Sequence, residues 1–368
     1  MDPQYSIVVV GSLNVDLITY VDAFPKPGET LTGLSFQQGC GGKGANQACA
    51  AALLCADARW VYMVGAVGDD PLGKDYLRAD GAFARSGVDV SRVAVVPGVS
   101  TGVAPIWVDG NGENCIVVVP GANATLTAGG VGAALDGLLE ESCAILVQGE
   151  VPMAATAAAL QRASSAGRLT FFTPAPVPPG GVPDALLALT SVIIPNRGEL
   201  IALAGGAAAA AAAAAPGVGP AALDALRACA AALQARGAHS VVVTLGADGA
   251  LVVGGEGGAA GGWAHVRAPR VAAVDTSGAG DAFSGALAFF VCAWGAAGTA
   301  GRKELPRAPF EVLVDAAHRA VCVAALSVTK KGTQQSYSAR AALTPALFER
   351  RAWGAADVAA FEAWAASQ

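Results

Sequence analysis

The chain is poor in charge. Charged side chains make up 14% of its 368 residues, with 29 acids against 23 bases and a formal net charge of −6. No basic run interleaved with aromatics offsets that balance, which argues against a general nucleic-acid surface built on clustered Lys and Arg. Histidine is scarcer still: His239, His265 and His318 share no ligand spacing. The eight cysteines, Cys40, Cys49, Cys55, Cys115, Cys143, Cys229, Cys292 and Cys322, include no C-x-x-C pair. Most lie among Ala, Val and Leu, where a free Cys behaves as a small buried hydrophobe, so zinc is not expected. Long apolar runs are missing as well. The hydrophobic fraction is 54%, but much of it is alanine, and no stretch reads as the roughly 18 strongly apolar residues of a membrane span. Met1–Ser6 is not basic, and Ile7–Val10 is too short for a signal segment. The final Ala-Ser-Gln is no peroxisomal tripeptide. These features predict a cytoplasmic protein.

What is present is alternation. Ile7–Gly11, Trp60–Gly65, Ala144–Gly149, Leu169–Pro174, Ser191–Asn196 and Ser240–Leu245 are short β-branched runs that read as buried strands. Met153–Ala163, Pro183–Leu189 and Ala221–Ala235 read as the helices between the later ones. Continuous apolar strands alternating with helices predict an α/β fold, a mainly parallel sheet sandwiched by helices. Two regions depart from this. Asp16–Gln38 and Thr101–Pro120 alternate apolar and polar residues around the turns Pro25–Gly28 and Asp109–Gly112, the pattern of antiparallel hairpins. They predict a small antiparallel β lid whose exposed face and edges suit a homodimer contact. Residues 205–219, with nine consecutive alanines (Ala207–Ala215), together with 254–262 and 295–308, read as surface insertions, because loop-length cost grows slowly.

One segment carries the chemistry. Asp275-Thr-Ser-Gly-Ala-Gly-Asp281 runs directly into Ala282–Phe290. A Gly-rich turn opening a helix offers free backbone N–H groups and the positive end of a helix dipole to an anion. Asp281 falls in the first turn, so a carboxylate stands beside that cradle. Phosphoryl transfer to a hydroxyl needs this pair: support for the moving phosphate and an acceptor for the proton. A first-turn Asp is also a common dipole partner, so the segment alone does not decide.

Gly39-Cys-Gly-Gly-Lys-Gly-Ala-Asn46 satisfies G-x-G-x-x-G, but a polar hairpin strand precedes it and no ribose-binding acid follows about 20 residues on. It is no P-loop either, since Gly44 follows Lys43. It reads as a loop whose backbone approaches a polyhydroxylated ligand, with Asn46 opening a helix. Asn14 and Asp16 follow the first strand at its carboxyl end, where open α/β sheets bind ligands; both also suit a plain turn. Pro195–Glu199 follows another strand. Asn196 and Glu199 fit a capping box, or a pair that holds waters around Mg²⁺. Thr244-Leu-Gly-Ala-Asp-Gly249 ends a strand with glycines that admit a nucleotide, or simply form a turn.

Taken in order, Gly11–Asp16, Gly41–Asn46, Pro195–Glu199, Thr244–Gly246, Asp275–Asp281 and Ser327–Ser336 resemble the ribokinase family of carbohydrate kinases over about residues 5–350. The resemblance implies a single α/β domain over residues 1–368 and ATP-dependent phosphorylation of D-ribose at its 5-hydroxyl. By this likeness Asn14, Asp16, Gly42, Lys43, Asn46, Glu150 and Asp281 contact the sugar, and Asp281 accepts the hydroxyl proton. Gly278, Ala279 and Gly280 give N–H groups to the γ-phosphate. Asn196 and Glu199 organise Mg²⁺, and Thr244, Gly246, Gly249, Gly280 and Val321 line the nucleotide site with Asn196. Val321 stands where the family often has a polar residue near adenine. Asp275, Ser277, Ser327, Lys330, Gly332 and Ser336 match the family's K⁺ site, with the Lys330 side chain expected to point away from the ion. Other family members that phosphorylate a different sugar or a nucleoside, and a non-catalytic sugar sensor on the same body, are the competing expectations.

Overall fold

The computed structural model describes residues 6–56, 60–78, 80–111, 113–255, 262–298 and 307–367. Its strands in chain order are β1 (Ser6–Val10), β2 (Asn14–Tyr20), β3 (Ser35–Gly41), β4 (Val61–Gly68), β5 (Asp89–Val96), β6 (Gly102–Val108) and β7 (Asn114–Ile116). There follow β8 (Ser142–Gln148), β9 (Leu169–Thr173), β10 (Val192–Ile193), β11 (Ser240–Thr244), β12 (Ala250–Val253) and β13 (Trp263–Val266). Nine of them form one sheet in the order β13-β12-β11-β10-β9-β8-β1-β4-β5. Its pairs are parallel from β10–β11 across to β4–β5, while β11–β12 and β12–β13 are antiparallel.

The central residues of β1 and β8, Ile7–Val10 and Ala144–Val147, are apolar on both faces because helices cover both. Ile7, Val9 and Leu146 pack with the helices Lys43–Leu54, Ala279–Gly298 and Phe310–Ser327. Val8, Val10, Ile145 and Val147 pack with Met153–Ser165 and Pro220–Ala235 on the other side. Successive side chains of a strand point to opposite faces, so a strand between two helical layers needs no polar position. Truncating one such side chain, as in Leu146→Ala, costs about 2–5 kcal/mol.

The predicted strands are present with ends shifted by up to three residues; the Ser191–Asn196 run is a strand over Val192–Ile193 with an isolated Asn196–Thr244 bridge beyond it, and the Pro183–Leu189 helix contracts to Asp184–Leu187. The small sheet is β3-β2-β6-β7. Both hairpins are antiparallel, β2 with β3 and β6 with β7, but they join through a parallel β2–β6 pair. The alanine run is helical, Gly206–Ala214, with Ala212 buried against the second helical layer. Alanine has the highest helix propensity, and its small side chain permits close packing. Residues 256–261 and 299–306 of the other two expected insertions lie outside the described residues. Among the described residues no helix is long and apolar enough to cross a membrane.

Candidate active site

The site lies where the sheet changes direction. From β1 the chain moves to β4 on one side, while β8 lies on the other and leads to β9. At such a switch point the connections diverge and open a crevice beyond the strands' carboxyl ends. Ser12 lies in the turn after β1 and Glu150 just beyond β8, while Asn14 and Asp16, expected in the turn after the first strand, instead open β2 of the small sheet. Two helix starts close over them: Asn46 Nδ2, in the first turn of Lys43–Leu54, donates to Asp281 Oδ2 at 3.0 Å, in the first turn of Ala279–Gly298.

Backbone geometry sets the first helix in place. Gly42 has φ 87°, and a Cβ there would lie 2.7 Å from the Asn14 nitrogen, so only glycine lets the loop rest on the end of β1. Glu150 Oε2 then accepts from the Ser12 hydroxyl at 2.5 Å and from the Lys43 N–H at 2.9 Å. Asn14 is buried, and its Oδ1 accepts from Asn123 Nδ2 at 2.8 Å. Asn123 also exchanges hydrogen bonds with the Leu13 backbone, at 2.9 and 3.0 Å, which fixes the turn after β1.

The electrostatics are crowded. Burial pushes the Asp16 carboxyl up to about 7, with the charges of Glu150 and Asp281 adding and Lys43 opposing. Lys43 is raised chiefly by Asp281, against its own burial, with help from Glu150, Glu199 and Asp16. Four carboxyl groups, Asp16, Glu150, Glu199 and Asp281, thus surround one ammonium in this polar cluster, which is the chemistry expected for binding several hydroxyls that both donate and accept.

On the other side of Asp281 opens a cavity of about 680 Å³. All six residues expected for the nucleotide site, Asn196, Thr244, Gly246, Gly249, Gly280 and Val321, line it. The helix start reaches both spaces: Gly280 belongs to the cavity, and its neighbour Asp281 to the polar cluster. Gly278 takes φ 72°. Its carbonyl accepts from the buried Tyr337 hydroxyl at 2.9 Å and from the Ala282 N–H at 2.8 Å. The Ala279 N–H, expected to face an anion, instead donates to the Thr276 carbonyl at 3.3 Å, closing the turn.

Residues 4–340 match the pfkB family carbohydrate kinases. The chain is 36% identical to the deoxyribokinase of Salmonella typhi over 90% of its own length and 95% of that protein's. It is 34% identical to the ribokinase of Mus musculus, over 93% and 95%. Among solved structures it resembles the ribokinase of Giardia lamblia, with a TM-score of 0.79, 29% identity and coverage of 92% and 97%. It resembles equally in extent the Arabidopsis thaliana ribokinase complexed with ribose and ATP, with a TM-score of 0.71, 26% identity and coverage of 93% and 97%.

The chain belongs to the pfkB family of carbohydrate kinases. The expected α/β fold with its small sheet is therefore the family's own, and the enzyme is a phosphotransferase with an alcohol acceptor.

In this kinase Asn196 and Glu199 are first of all a helix cap. Asn196 Oδ1 accepts from the Glu199 N–H and Glu199 Oε2 from the Asn196 N–H, both at 2.8 Å. Burial nevertheless raises the Glu199 carboxyl, partly offset by the Asn196 hydrogen bond and Lys43, while Asp281 adds to the rise. Glu199 thus faces the same crevice, and a divalent cation would relieve that charge. The donor set suits Mg²⁺, which keeps most of its waters.

The Asp275 loop is closely knit. Asp275 Oδ1 accepts from the Ser277 N–H and Oδ2 from the Gly332 N–H, both at 2.9 Å. These bonds outweigh burial and hold the carboxyl below its usual range. Val274 and Asp275 both donate to the Val328 carbonyl. The Ser327 and Ser336 hydroxyls donate to the Ala324 and Thr333 carbonyls, and Lys330 Nζ donates to Ser338 Oγ at 3.2 Å.

Several polar residues of the site escaped the sequence reading. Asn123, Gln47, Gln148, Gln334 and Tyr76 hold the expected residues in place. Gln334 Nε2 donates to Asn46 Oδ1 and to the Tyr76 hydroxyl at 3.0 Å, and Tyr76 donates to the Gly41 carbonyl at 2.6 Å. Three had a local signal: Gln47 directly follows the Gly39–Asn46 motif, Gln334 lies within the Ser327–Ser336 segment, and Gln148 within the Ala144–Gly149 run.

Proposed function

We propose that the kinase transfers the γ-phosphoryl group of ATP to the 5-hydroxyl of D-ribose. One observation carries this reading: the helix start at Gly278–Asp281 stands between the polar cluster and the cavity, with the Asp281 carboxylate on the first and Gly280 on the second. The Arabidopsis thaliana relative complexed with ribose and ATP supports the same pair of ligands. Asn14, Asp16, Gly42, Lys43, Asn46 and Glu150 bind the sugar. As the hydroxyl oxygen bonds to the γ-phosphorus, the bond from phosphorus to the β,γ-bridging oxygen breaks, ADP leaves, and the hydroxyl proton passes to Asp281. The Gly278 and Gly280 amides and the helix dipole stabilise the charge on the transferring group. The transition state is loose, so positioning and electrostatics outweigh base strength.

Asn196 and Glu199 would hold the waters of a Mg²⁺ ion, which when bound would supply positive charge against the phosphates. The Asp275, Ser277, Ser327, Lys330, Gly332 and Ser336 loop holds K⁺, with Lys330 turned to Ser338. The small sheet closes over the sugar and excludes water. Its apolar residues Leu34 and Phe36, about 60% exposed, are the surface a second copy covers, which a mass measurement in solution checks.

A second acceptor, 2-deoxyribose, is favoured by the 36% identity to a deoxyribokinase. The two sugars differ by one hydroxyl. A site that hydrogen-bonds that hydroxyl discriminates strongly, because its polar groups are left unpaired without it. ATP turnover is measured against ribose, deoxyribose, fructose, adenosine and fructose 6-phosphate, in potassium and in sodium. The reading requires kcat/KM for ribose to exceed that for deoxyribose at least about tenfold, with potassium faster than sodium. A preference for deoxyribose reassigns the acceptor. Ribose binding without turnover makes the protein a sensor.

A further inference from the structure

Asp281 is 6% exposed, and both of its oxygens are occupied by side-chain amides of one helix. Asn46 Nδ2 donates to Oδ2 at 3.0 Å and Gln47 Nε2 to Oδ1 at 3.1 Å. Adjacent residues in the first turn of Lys43–Leu54 therefore grip one carboxylate from two sides. The approach is close because Gly285, one turn beyond Asp281, has no side chain. A Cβ there would lie 2.5 Å from the Gln47 carbonyl oxygen and 2.8 Å from the Ala50 Cβ.

Gln47 cannot choose its orientation. Its Oε1 accepts from Gln148 Nε2 at 2.8 Å, and its Nε2 also reaches Thr173 Oγ1 at 3.3 Å, which in turn donates to Ser284 Oγ at 3.3 Å. A flipped Gln47 amide would set its oxygen against the Asp281 carboxylate and its nitrogen against the Gln148 Nε2 donor. Gln47 and Gln148 are 1% and 0% exposed. Burying two amides is unfavourable unless they are paired, and this pair is incomplete at its far end. Gln148 Oε1 is buried without a hydrogen-bond partner among the described residues. A Cβ at Gly11 would collide with that same amide, so Gly11 makes the room for it. A core filled only for stability has no use for an orphaned carbonyl. The network is satisfied toward Asp281 and unsatisfied away from it.

We propose that Gln47, oriented by Gln148, is a positioning residue that fixes the rotation of the Asp281 carboxylate for proton acceptance. One donor leaves a carboxylate free to rotate about its Cβ–Cγ bond, whereas donors to both oxygens set its plane. Sub-ångström placement of a reacting group is worth large factors in rate. Gln47 donates to Asp281 from the protein interior, itself held by Thr173 and Gln148, so its loss affects turnover rather than sugar affinity.

The inference rests on Asp281 accepting the hydroxyl proton, so the wild-type enzyme is measured first. If it shows no sugar-dependent ATP turnover, the proposed function fails before Gln47 is tested. In an active background Gln47→Met is expected to lower kcat by about 10- to 100-fold, with the sugar dissociation constant within twofold and melting temperature within a few degrees of wild type. A kcat within twofold of wild type, or a loss carried wholly by KM, overturns the proposal. Should Gln47→Met fail to fold, Gln148→Met serves instead. It should show a smaller fall in kcat of about threefold or more, again without change in sugar affinity, and an unchanged kcat overturns the proposal equally.

Discussion

The two halves of the crevice are built by opposite means. On the side assigned to the sugar, directed hydrogen bonds hold each group: Asn123 on Asn14, Ser12 and the Lys43 amide on Glu150, Asn46 and Gln47 on Asp281. On the side assigned to the nucleotide, the cavity wall is largely glycine, alanine and valine. The first half recognises its ligand through the placement of side-chain atoms, and a shift of one helix disturbs all of them. The second admits its ligand by shape and by small residues, so no single side chain there carries much.

That contrast sets the order of sensitivity. Short of removing Asp281 itself, the largest effect is expected from Gly285→Ala, which forces apart the two helices that meet at Asn46, Gln47 and Asp281. Overpacking of this kind costs about 1–3 kcal/mol of stability, and kcat should fall at least about tenfold; thermal melting and steady-state kinetics read both. Its counterpart across the crevice is Gly246→Ala. There φ is 60° but nothing lies within 4 Å, so only the left-handed backbone resists, at about 1–2 kcal/mol, and kcat should hold. Equal losses of kcat in the two variants would erase the contrast.

Asp16 gives a pH test of the polar half. With its carboxyl pushed up to about 7, sugar affinity should strengthen from pH 6 to pH 8 as the carboxylate forms, and Asp16→Asn should flatten that dependence. Stability moves the other way. The unfolded chain ionises this group near 4 while the folded protein still keeps the proton, so the folded state loses stability as pH rises from about 4 to 7. Asp16→Asn should therefore raise stability at pH 8 by about 1 kcal/mol, seen as a higher melting temperature without sugar.

The smallest effect is expected at Val321. Val321→Thr changes one methyl to a hydroxyl in a wall of small residues, and KM for ATP should stay within about threefold. A change of tenfold or more would mean that the base is read by this side chain rather than by the shape of the cavity.

How far the sequence reached follows the same division. Local patterns carried the strands β1, β8 and β11, the helix start near Ala279, and the glycine turns, because each depends on neighbours a few residues apart. The first helix, expected to open at Asn46, begins one turn earlier at Lys43. Asn196 and Val321 were assigned to the nucleotide side only through the family resemblance, whereas the glycine turn from Thr244 to Gly249 was legible from its own neighbours. The parallel β2–β6 pair was not, since pairing between hairpins about 90 residues apart leaves no trace in either one. The braces were hidden likewise. Asn46 and Gln47 reach Asp281 across 235 and 234 residues, and Gln334 reaches Asn46 across 288. Asn and Gln at such positions look like surface polar residues until the fold buries them. The alanine run was read as a surface insertion without an assigned conformation; alanine's helix propensity makes its Gly206–Ala214 stretch a helix.

The central claim is that Asp281 accepts the proton in a site that binds the sugar independently of it. The most direct measurement pairs ribose binding by calorimetry with ATP turnover for Asp281→Ala. The account predicts ribose affinity within a few-fold of wild type and turnover reduced by about 10²- to 10⁴-fold. Turnover retained within a few-fold of wild type would contradict it.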